Sequence, residues 1–459
     1  MPLKNRWMSV ADPIHGIIQF DRLEETHRLL LDVINSKVFQ RLRRIKQMGL
    51  AEFVFPNATH SRFVHSLGST HLMIQTIQFL KRVDETKHTL ESTYEDTGIT
   101  YERLLLLGIL IHDIGHTPLS HTLEDVLGLL ENGLSHDTHW NARILREDDE
   151  LNTVWNRYQP NLGNAVLDFM GQGERPKHYL ASLISSQLDM DRLDYLQRDS
   201  HFLGVQYGRI EGQRIIGNLL IDVGPNARPL VAVREEAVPA VEHYLFGRHQ
   251  AYKMALHSLD KASEALLKKT LERFAWARDN HVNTGNTAEA LYQLIRQGHS
   301  LSLDDYIRLD DYYLWQAIHG WADDAEDPLL KTLANRLLRH DILKFVDLTK
   351  YGIYEAFDTL GPVYEAVEDY YHQHQLSMTF CLEETVVKTK PLYQKRPAKE
   401  PIWVKTANSV VDLAEVSTLP LGVASPQQEH ERRLVFVWDK DAKYVLIKAL
   451  EARYGKPGI

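Results

Sequence analysis

His112 and Asp113 close the apolar run LLLLGILIHDIGH, Leu104 to His116. A histidine beside an aspartate holds a metal ion only when further ligands converge on it. Two candidates stand far off in the chain, His65 in THSRFVHSLG and Asp191 in QLDMDRLDYLQRD. Two imidazoles and two carboxylates make a mixed nitrogen and oxygen set that suits a borderline or hard divalent ion and leaves positions for water or substrate. Alone, a His-Asp pair is more often a surface helix end than a ligand pair. Here Gly115 and Pro118 interrupt the helix just after Asp113 and place the pair at a helix end. An unpaired aspartate among so many leucines is costly to bury, and a cation removes that cost.

Other chemistry lies nearby. Thr117 predicts the cap of a new helix with Pro118 in its first turn, burying Leu119, Leu123, Val126, Leu127 and Leu130 on one side. His121 and Glu124 stand three residues apart on it, so their side chains can meet. A carboxylate that holds a histidine raises its pKa and fixes its tautomer, as a proton donor to a leaving oxygen requires, although a surface pair of little consequence has the same spacing. His116 is placed to donate to a phosphate oxygen, and His136 and His139 in LSHDTHWNARIL are placed to enter the same pocket. On the Asp191 segment, Arg192, Tyr195 and Asp199 share one helix face with Asp191 at its edge. At about 1.5 Å per residue, Asp191 to Asp199 covers roughly 12 Å, comparable to the reach from a phosphate to a sugar hydroxyl. Arginine and tyrosine suit phosphate oxygens and the aspartate suits a hydroxyl donor; an ordinary charged helix face is the alternative. FQRLRRIKQMGL supplies Arg41, Arg43, Arg44, Lys46 and Gln47, and Arg62 precedes His65 by three residues. A basic helix is usually a solvated face, but beside a metal site Arg62 can hold a polyphosphate.

These residues need a scaffold, and from about Leu23 to Leu348 the pattern is mainly helical, with apolar residues recurring at three and four positions. Met73, Ile74, Ile77 and Leu80 show this, as do Leu180, Leu183, Ile184 and Leu188. Ile17 to Phe20 predicts a short strand, and Leu219 to Glu236 a β-hairpin around the turn GPNARP. The acidic runs at Glu147 and Asp323 read as solvated loops. Beyond Tyr354 the segments alternate, predicting a small carboxy-terminal α+β subdomain over 351–459 beside a core over 1–350. A chain of 459 residues buries a large core. With 52 Lys+Arg against 62 Asp+Glu the net charge is −10, which disfavours charge-driven binding to nucleic acid or anionic membrane. The single cysteine, Cys381, forms no internal disulfide and points to a reducing compartment. The amino terminus lacks the apolar core of a secretion signal and no apolar stretch spans a bilayer, so the expectation is a cytoplasmic chain without a membrane partner.

Read together with DPIHG at Asp12, VFPNATHSRFVHSLG at Val54 and RDSHFLGVQYG at Arg198, these segments resemble the HD-domain deoxynucleoside triphosphate triphosphohydrolases, collinearly over roughly Ser9 to Leu256. The resemblance is closest to the branch with the human sterile-alpha-motif nucleotidase and its bacterial relatives. It implies a mainly α fold, an HD-domain helical core with short β-hairpins and the small carboxy-terminal α+β subdomain. It further implies cleavage of a dNTP at the α-phosphorus to deoxynucleoside and intact triphosphate. One divalent ion per subunit (Mn, Fe, Mg, Ni, Co or Zn) would be held by His65, His112, Asp113 and Asp191. His121 with Glu124 would protonate the departing 5′ oxygen. His116 would act beside them, contacting the phosphates together with Arg62, His136, Arg192, Tyr195 and Arg248. Gln47 and Asp199 would hold the sugar 3′ hydroxyl. The partners implied are the dNTP, a nucleotide effector, weakly bound single-stranded nucleic acid, and further copies of the chain in a dimer or tetramer.

The chain departs from the family pattern in places. Asn35 stands where members with a guanine-nucleotide effector site carry a base-reading aspartate, although Gln40 and Arg43 are kept, and Met8 and Ala11 replace polar nucleotide-contacting residues. Leu256 and Ser258 stand in place of the aromatic residue beside the sugar and a later histidine, with His257 adjacent, so exclusion of ribonucleotides is not implied. Two competing readings remain: a phosphatase or phosphodiesterase on another nucleotide, which the same metal site can serve, and a weakly catalytic nucleotide-sensing or nucleic-acid-binding protein, which has no use for a proton donor.

Overall fold

A computed structural model describes residues 6–225, 227–255, 257–354, 360–388, 392–393, 400–419 and 431–457. Leu256, matched above to the family's sugar-side aromatic, lies outside them. The chain is mainly helical with small sheets. It opens with a hairpin of β1 (Trp7–Asp12) and β2 (Gly16–Asp21), antiparallel with Asp12 opposite Gly16, so the expected IIQF strand is its second arm. After α1 (Glu25–Asn35) come the helices that carry the candidate ligands.

The first of these, α2 (Arg62–Leu80), is buried on almost every side, as a core helix without a polar stripe must be. In α3 (Tyr101–Ile111) the Thr100 hydroxyl accepts the Arg103 N–H, and every residue from Leu104 to Ile111 is buried. The helix stops at Ile111 with His112 as its cap. Asn141 satisfies the exposed end, accepting the Gly115 N–H at 2.7 Å and donating to the His112 carbonyl at 2.7 Å. The next helix, α4 (His121–Val126), begins later than Thr117 predicts. Leu119 and Ser120 are in left-handed conformations (φ 56° and 55°), and the Thr117 hydroxyl donates to the Ser120 carbonyl instead of capping a helix. Arg62 and Asp311 hold this loop in place, donating to the Ser120 hydroxyl and accepting the Leu119 N–H. Leu130, assigned above to the buried side, is 66% exposed.

Asp189 caps α5 (Met190–Leu203) by accepting the Arg192 N–H at 2.7 Å, and Gly204 at φ 71° ends it. Helix α2 packs against α3 and α5, bringing three distant segments together. The stretch Leu180 to Leu188 forms only a short 3₁₀ helix, Tyr179–Leu183, followed by turns. The basic run is not a solvated face either. Arg41 is fully buried and donates to the Leu309 and His116 carbonyls at 2.8 and 2.7 Å, while Arg44 pairs with Asp310. The acidic runs cap helices: Asp148 accepts the Leu151 N–H, and Asp327 accepts the Leu330 N–H while binding Arg273 through both oxygens.

Beyond the hairpin of β3 (Leu219–Val223) and β4 (Pro229–Arg234) lie α6 (Val238–Ala255), α7 (Ser258–Asp279), α8 (Asp311–Asp324) and α9 (Pro328–Leu338). Two sheets then cross the line drawn at residue 350. Strand β5 (Lys344–Asp347) and β6 (Leu382–Lys388) flank β9 (Glu431–Val437), and β7 (Trp403–Lys405) extends β4 in parallel before pairing with β8 (Val410–Asp412). The two faces of β9 serve different cores. Leu434 and Phe436 join the main cluster, whereas Val435 and Val437 join a smaller one with α10 (Gly361–Gln373) and α11 (Lys440–Tyr454).

Candidate active site

His65 lies one turn into α2, His112 and Asp113 at the end of α3, and Asp191 in the first turn of α5. The His65 and His112 Nε2 atoms are 3.3 Å apart, and Asp191 Oδ1 lies 3.1 Å from the first and 3.5 Å from the second. Asp113 closes the group, with Oδ2 3.6 Å from His65 Nε2 and Oδ1 3.4 Å from His112 Nε2. The outer nitrogens fix the tautomers: His65 Nδ1 donates to Asp194 at 2.7 Å and His112 Nδ1 to the Ile109 carbonyl at 2.7 Å. Both Nε2 lone pairs therefore face inward, toward each other and two carboxylates. Such a group demands positive charge at its centre, which a divalent ion held by His65, His112 and Asp191, with Asp113 beside them, would supply. The electrostatics agree. Burial disfavours a charged His65, yet hydrogen bonds to Asp191 and Asp194 push its pKa up to about 10 when a proton must stand in for a cation. For Asp113 burial acts upward and is outweighed by Arg62 and His112, so it stays well below the usual carboxylate range.

A second cluster adjoins the first. Glu124 Oε1 accepts from His116 Nδ1 at 3.2 Å, and Oε2 from His121 Nδ1 at 3.1 Å and His136 Nδ1 at 2.9 Å. Sequence spacing points to the pair His121-Glu124; the structure makes Glu124 the hub of three histidines. Its burial would raise the carboxyl, but the facing imidazoles hold it far below the usual range. His136, stacked on His116 with ring centroids 3.6 Å apart, is pushed up to about 10 by Asp137 and Glu124 against burial. His121 alone keeps an exposed side chain (63%), with its Nδ1 toward Glu124. His139 instead lies edge-on to Trp140 and His299.

His112, Asp113 and Asp191 of the first cluster and His116, His121 and His136 of the second line one cavity of about 650 Å³, within the range of small-molecule sites. Gln47, Arg62, Arg192, Tyr195 and Asp199 line it too. Arg62 is held by Asp113 Oδ2 at 2.7 Å and Ser120 Oγ at 2.8 Å, and Arg192 donates to Tyr195 Oη at 3.2 Å. Arg248 does not line it. Its guanidinium donates instead to the Gln187 and Leu392 carbonyls at 3.0 and 2.8 Å. Three neighbours escaped the sequence reading. His60 donates to Asp199 at 2.8 Å, Asp137 pairs with His136, and Asp194 grips His65. The only signal for Asp194 was its place four residues before Arg198, a helix ion-pair spacing.

No family model matches the chain. It is 31% identical over 337 residues to the uncharacterized protein YwfO of Bacillus subtilis, covering 73% of this chain and 71% of that protein. It is also 30% identical over 204 residues to the deoxynucleoside triphosphate triphosphohydrolase SAMHD1 homolog of Dictyostelium discoideum. That match covers 42% of this chain and 36% of the relative. The chain belongs to the HD-domain dNTP triphosphohydrolase-like family. Among solved structures, a phosphohydrolase from Bacteroides thetaiotaomicron superposes with a TM-score of 0.73 at 27% identity, covering 94% of this chain and 100% of that one. The fold is thus that of an HD-type phosphohydrolase and the activity that of a hydrolase. Among the described residues no helix is long and apolar enough to cross a membrane.

Proposed function

We propose that the chain hydrolyses deoxynucleoside triphosphates at the α-phosphorus, releasing deoxynucleoside and intact triphosphate. The observation that carries this reading is the convergence of the His65, His112 and Asp191 group, with Asp113 beside it, and the Glu124 histidine hub at one nucleotide-sized cavity. His65, His112, Asp113 and Asp191 would hold a divalent ion, which would supply Lewis-acid polarisation of a phosphoryl oxygen. Arg62, Arg192, His136 and Tyr195 bind the phosphates and stabilise charge as it develops, with the neutral His116 held beside them by Glu124. Gln47 and Asp199 orient the sugar through its 3′ hydroxyl. His121, held through Nδ1 by Glu124, acts as the acid: it gives its Nε2 proton to the 5′ oxygen as the phosphorus bond to that oxygen breaks and water oxygen bonds to phosphorus, while the proton shed by the water leaves to solvent.

Arg248 favours a second reading. With that cation committed to backbone carbonyls, the cavity has one fewer group for a triphosphate, which suits a smaller phosphate ester. Product analysis decides between them, using each dNTP and NTP with Mn²⁺, Mg²⁺, Fe²⁺ or Co²⁺, singly and in mixtures that expose an activator. Triphosphate and nucleoside support the first reading, and orthophosphate or a monophosphate supports the second. Tight binding without turnover refutes both. Chelation should abolish turnover and added metal restore it.

A further inference from the structure

The DPIHG turn, although part of the sequence pattern, touches neither the cavity lining nor the two clusters described above. It reaches the metal centre from behind. In the turn, Asp12 Oδ1 accepts the Ile14 and His15 N–H groups, both at 2.9 Å, and Gly16 at φ 74° returns the chain into β2. This presents the His15 ring to Asp194, with Nε2 2.6 Å from Oδ1. Asp194 is fully buried, and all four of its lone-pair positions are taken. Oδ1 accepts from His15 Nε2 and from Arg198 Nη2 at 2.9 Å; Oδ2 accepts from His65 Nδ1 at 2.7 Å and from Arg198 Nε at 2.8 Å. Asp12 Oδ2 in turn fixes Arg198 through Nη1 at 2.8 Å.

We infer that the amino-terminal hairpin is a working part of the metal centre: His15, Asp194 and Arg198 are positioning residues that set the tautomer and ring angle of His65. Their contacts leave the carboxylate one orientation, and that orientation forces the proton onto His65 Nδ1 and the lone pair onto Nε2, where a ligand needs it. A role in packing alone would not explain the polar setting of His15. Its ring borders a second cavity of about 470 Å³ whose lining includes His71, Gln75, Gln197 and Arg214; it lies 5.6 Å from the His71 ring on α2, and its hydrogen bond to Asp194 ties it to the rear of the site.

Gly68 in THSRFVHSLG supplies an independent handle. It sits on α2 where a Cβ would lie 2.1 Å from Asp194 Oδ1 and 2.3 Å from Arg198 Nη2, so any larger residue must displace the carboxylate without altering a single hydrogen-bonding group.

The inference rests on His65 being a ligand, as proposed above, and the test separates the two. Co²⁺ is titrated into the metal-free full-length chain and into His15→Ala, His15→Gln, Gly68→Ala and His65→Ala, following its affinity and its visible absorption bands. Cooperative melting serves as the folding check. Loss of a group that orients a metal-bound histidine costs about ten- to a hundredfold in affinity. His15→Ala and Gly68→Ala should show that loss with altered bands, and His15→Gln, which keeps an N–H for Asp194, should recover most of it. If Gly68→Ala does not fold, the alanine and glutamine variants of His15 decide alone. Parent-like affinity and bands in folded His15→Ala, or no recovery in His15→Gln, overturns the inference and leaves the metal reading intact. Parent-like binding by His65→Ala overturns both.

Discussion

Glu124→Gln changes one atom of the histidine hub and almost no volume, and its consequence can be worked from three distances. The carboxylate accepts from Nδ1 of His116, His121 and His136 at 3.2, 3.1 and 2.9 Å. A carboxamide oxygen has two lone pairs, and its nitrogen only donates. The best arrangement keeps the oxygen on the side of His121 and His136 and turns the NH₂ group against His116. That imidazole must then move its proton to Nε2, which lies 3.3 Å from Asp113 Oδ1, a candidate ligand atom. One charge-assisted hydrogen bond is lost and the other two no longer end on a carboxylate, together costing roughly 2–4 kcal/mol of stability. The effect on rate is larger. His121 loses the carboxylate that orients it through Nδ1, so kcat should fall about a hundredfold or more. KM should rise by less than kcat falls, because Arg62, Arg192 and Tyr195 do not depend on Glu124. Steady-state kinetics on a folded variant checks this, and a kcat within about threefold of the parent would refute the reasoning.

The remaining predictions concern stability. Burial among Tyr101 and Phe169 pushes the His178 pKa down to about 4, and its Nδ1 must stay unprotonated to accept the Leu180 N–H that starts the Tyr179–Leu183 turn. The folded pKa is depressed below the unfolded value of 6.5, so the unfolded chain takes up the proton first; this share of stability is complete above pH 6.5 and lost as pH falls toward 4. The melting temperature of the parent should therefore drop more steeply over that window than that of His178→Phe, and parallel curves would contradict it. Asp327→Ala removes the cap of α9 and both contacts to Arg273, so chemical denaturation should show a loss of about 1–3 kcal/mol with no change in metal affinity.

Residue type and local period made most of the fold legible, and they failed where distant contacts decide. The helices of His65, His112 and Asp191 follow from apolar spacing and punctuation, and the mainly α class with its short hairpins is read from the same signals. The onset of α4 was misplaced because good helix-starting residues at Thr117 and Pro118 compete with Arg62, Lys46 and Asp311, which pin Leu119 and Ser120 from 58 to 192 residues away. The burial of Arg41 is not legible in the sequence, because nothing local reveals that backbone carbonyls at His116 and Leu309 enclose its guanidinium. At the site, ligand types alone nominated His65, His112, Asp113 and Asp191. Asp194 remained unused inside a quoted segment, because its meaning depends on His15, 179 positions earlier.

The two clusters rest on different supports, and this yields a separable effect. The candidate ligands sit on or at the ends of α2, α3 and α5, in or beside the main core. His121 opens a helix of six residues that follows two left-handed residues, and Asp311 holds that approach by accepting the Leu119 N–H at 2.7 Å and the Lys46 N–H at 2.9 Å. Burial pushes the Asp311 carboxyl up to about 6, while those two backbone donors act in the opposite direction. In Asp311→Asn the amide oxygen satisfies one N–H, and the other must face an NH₂ group. A buried donor left without a partner costs about 1–3 kcal/mol, and the cheapest relief is for the loop at Leu119 and Ser120 to shift. His121 would move with it, whereas His65 and His112 would not. The expected outcome is a fall in kcat of tenfold or more with Co²⁺ affinity within about twofold of the parent. A parallel fall in metal affinity would show that the loop and the ligand helices yield as one unit, and the proton donor could no longer be treated as separately supported.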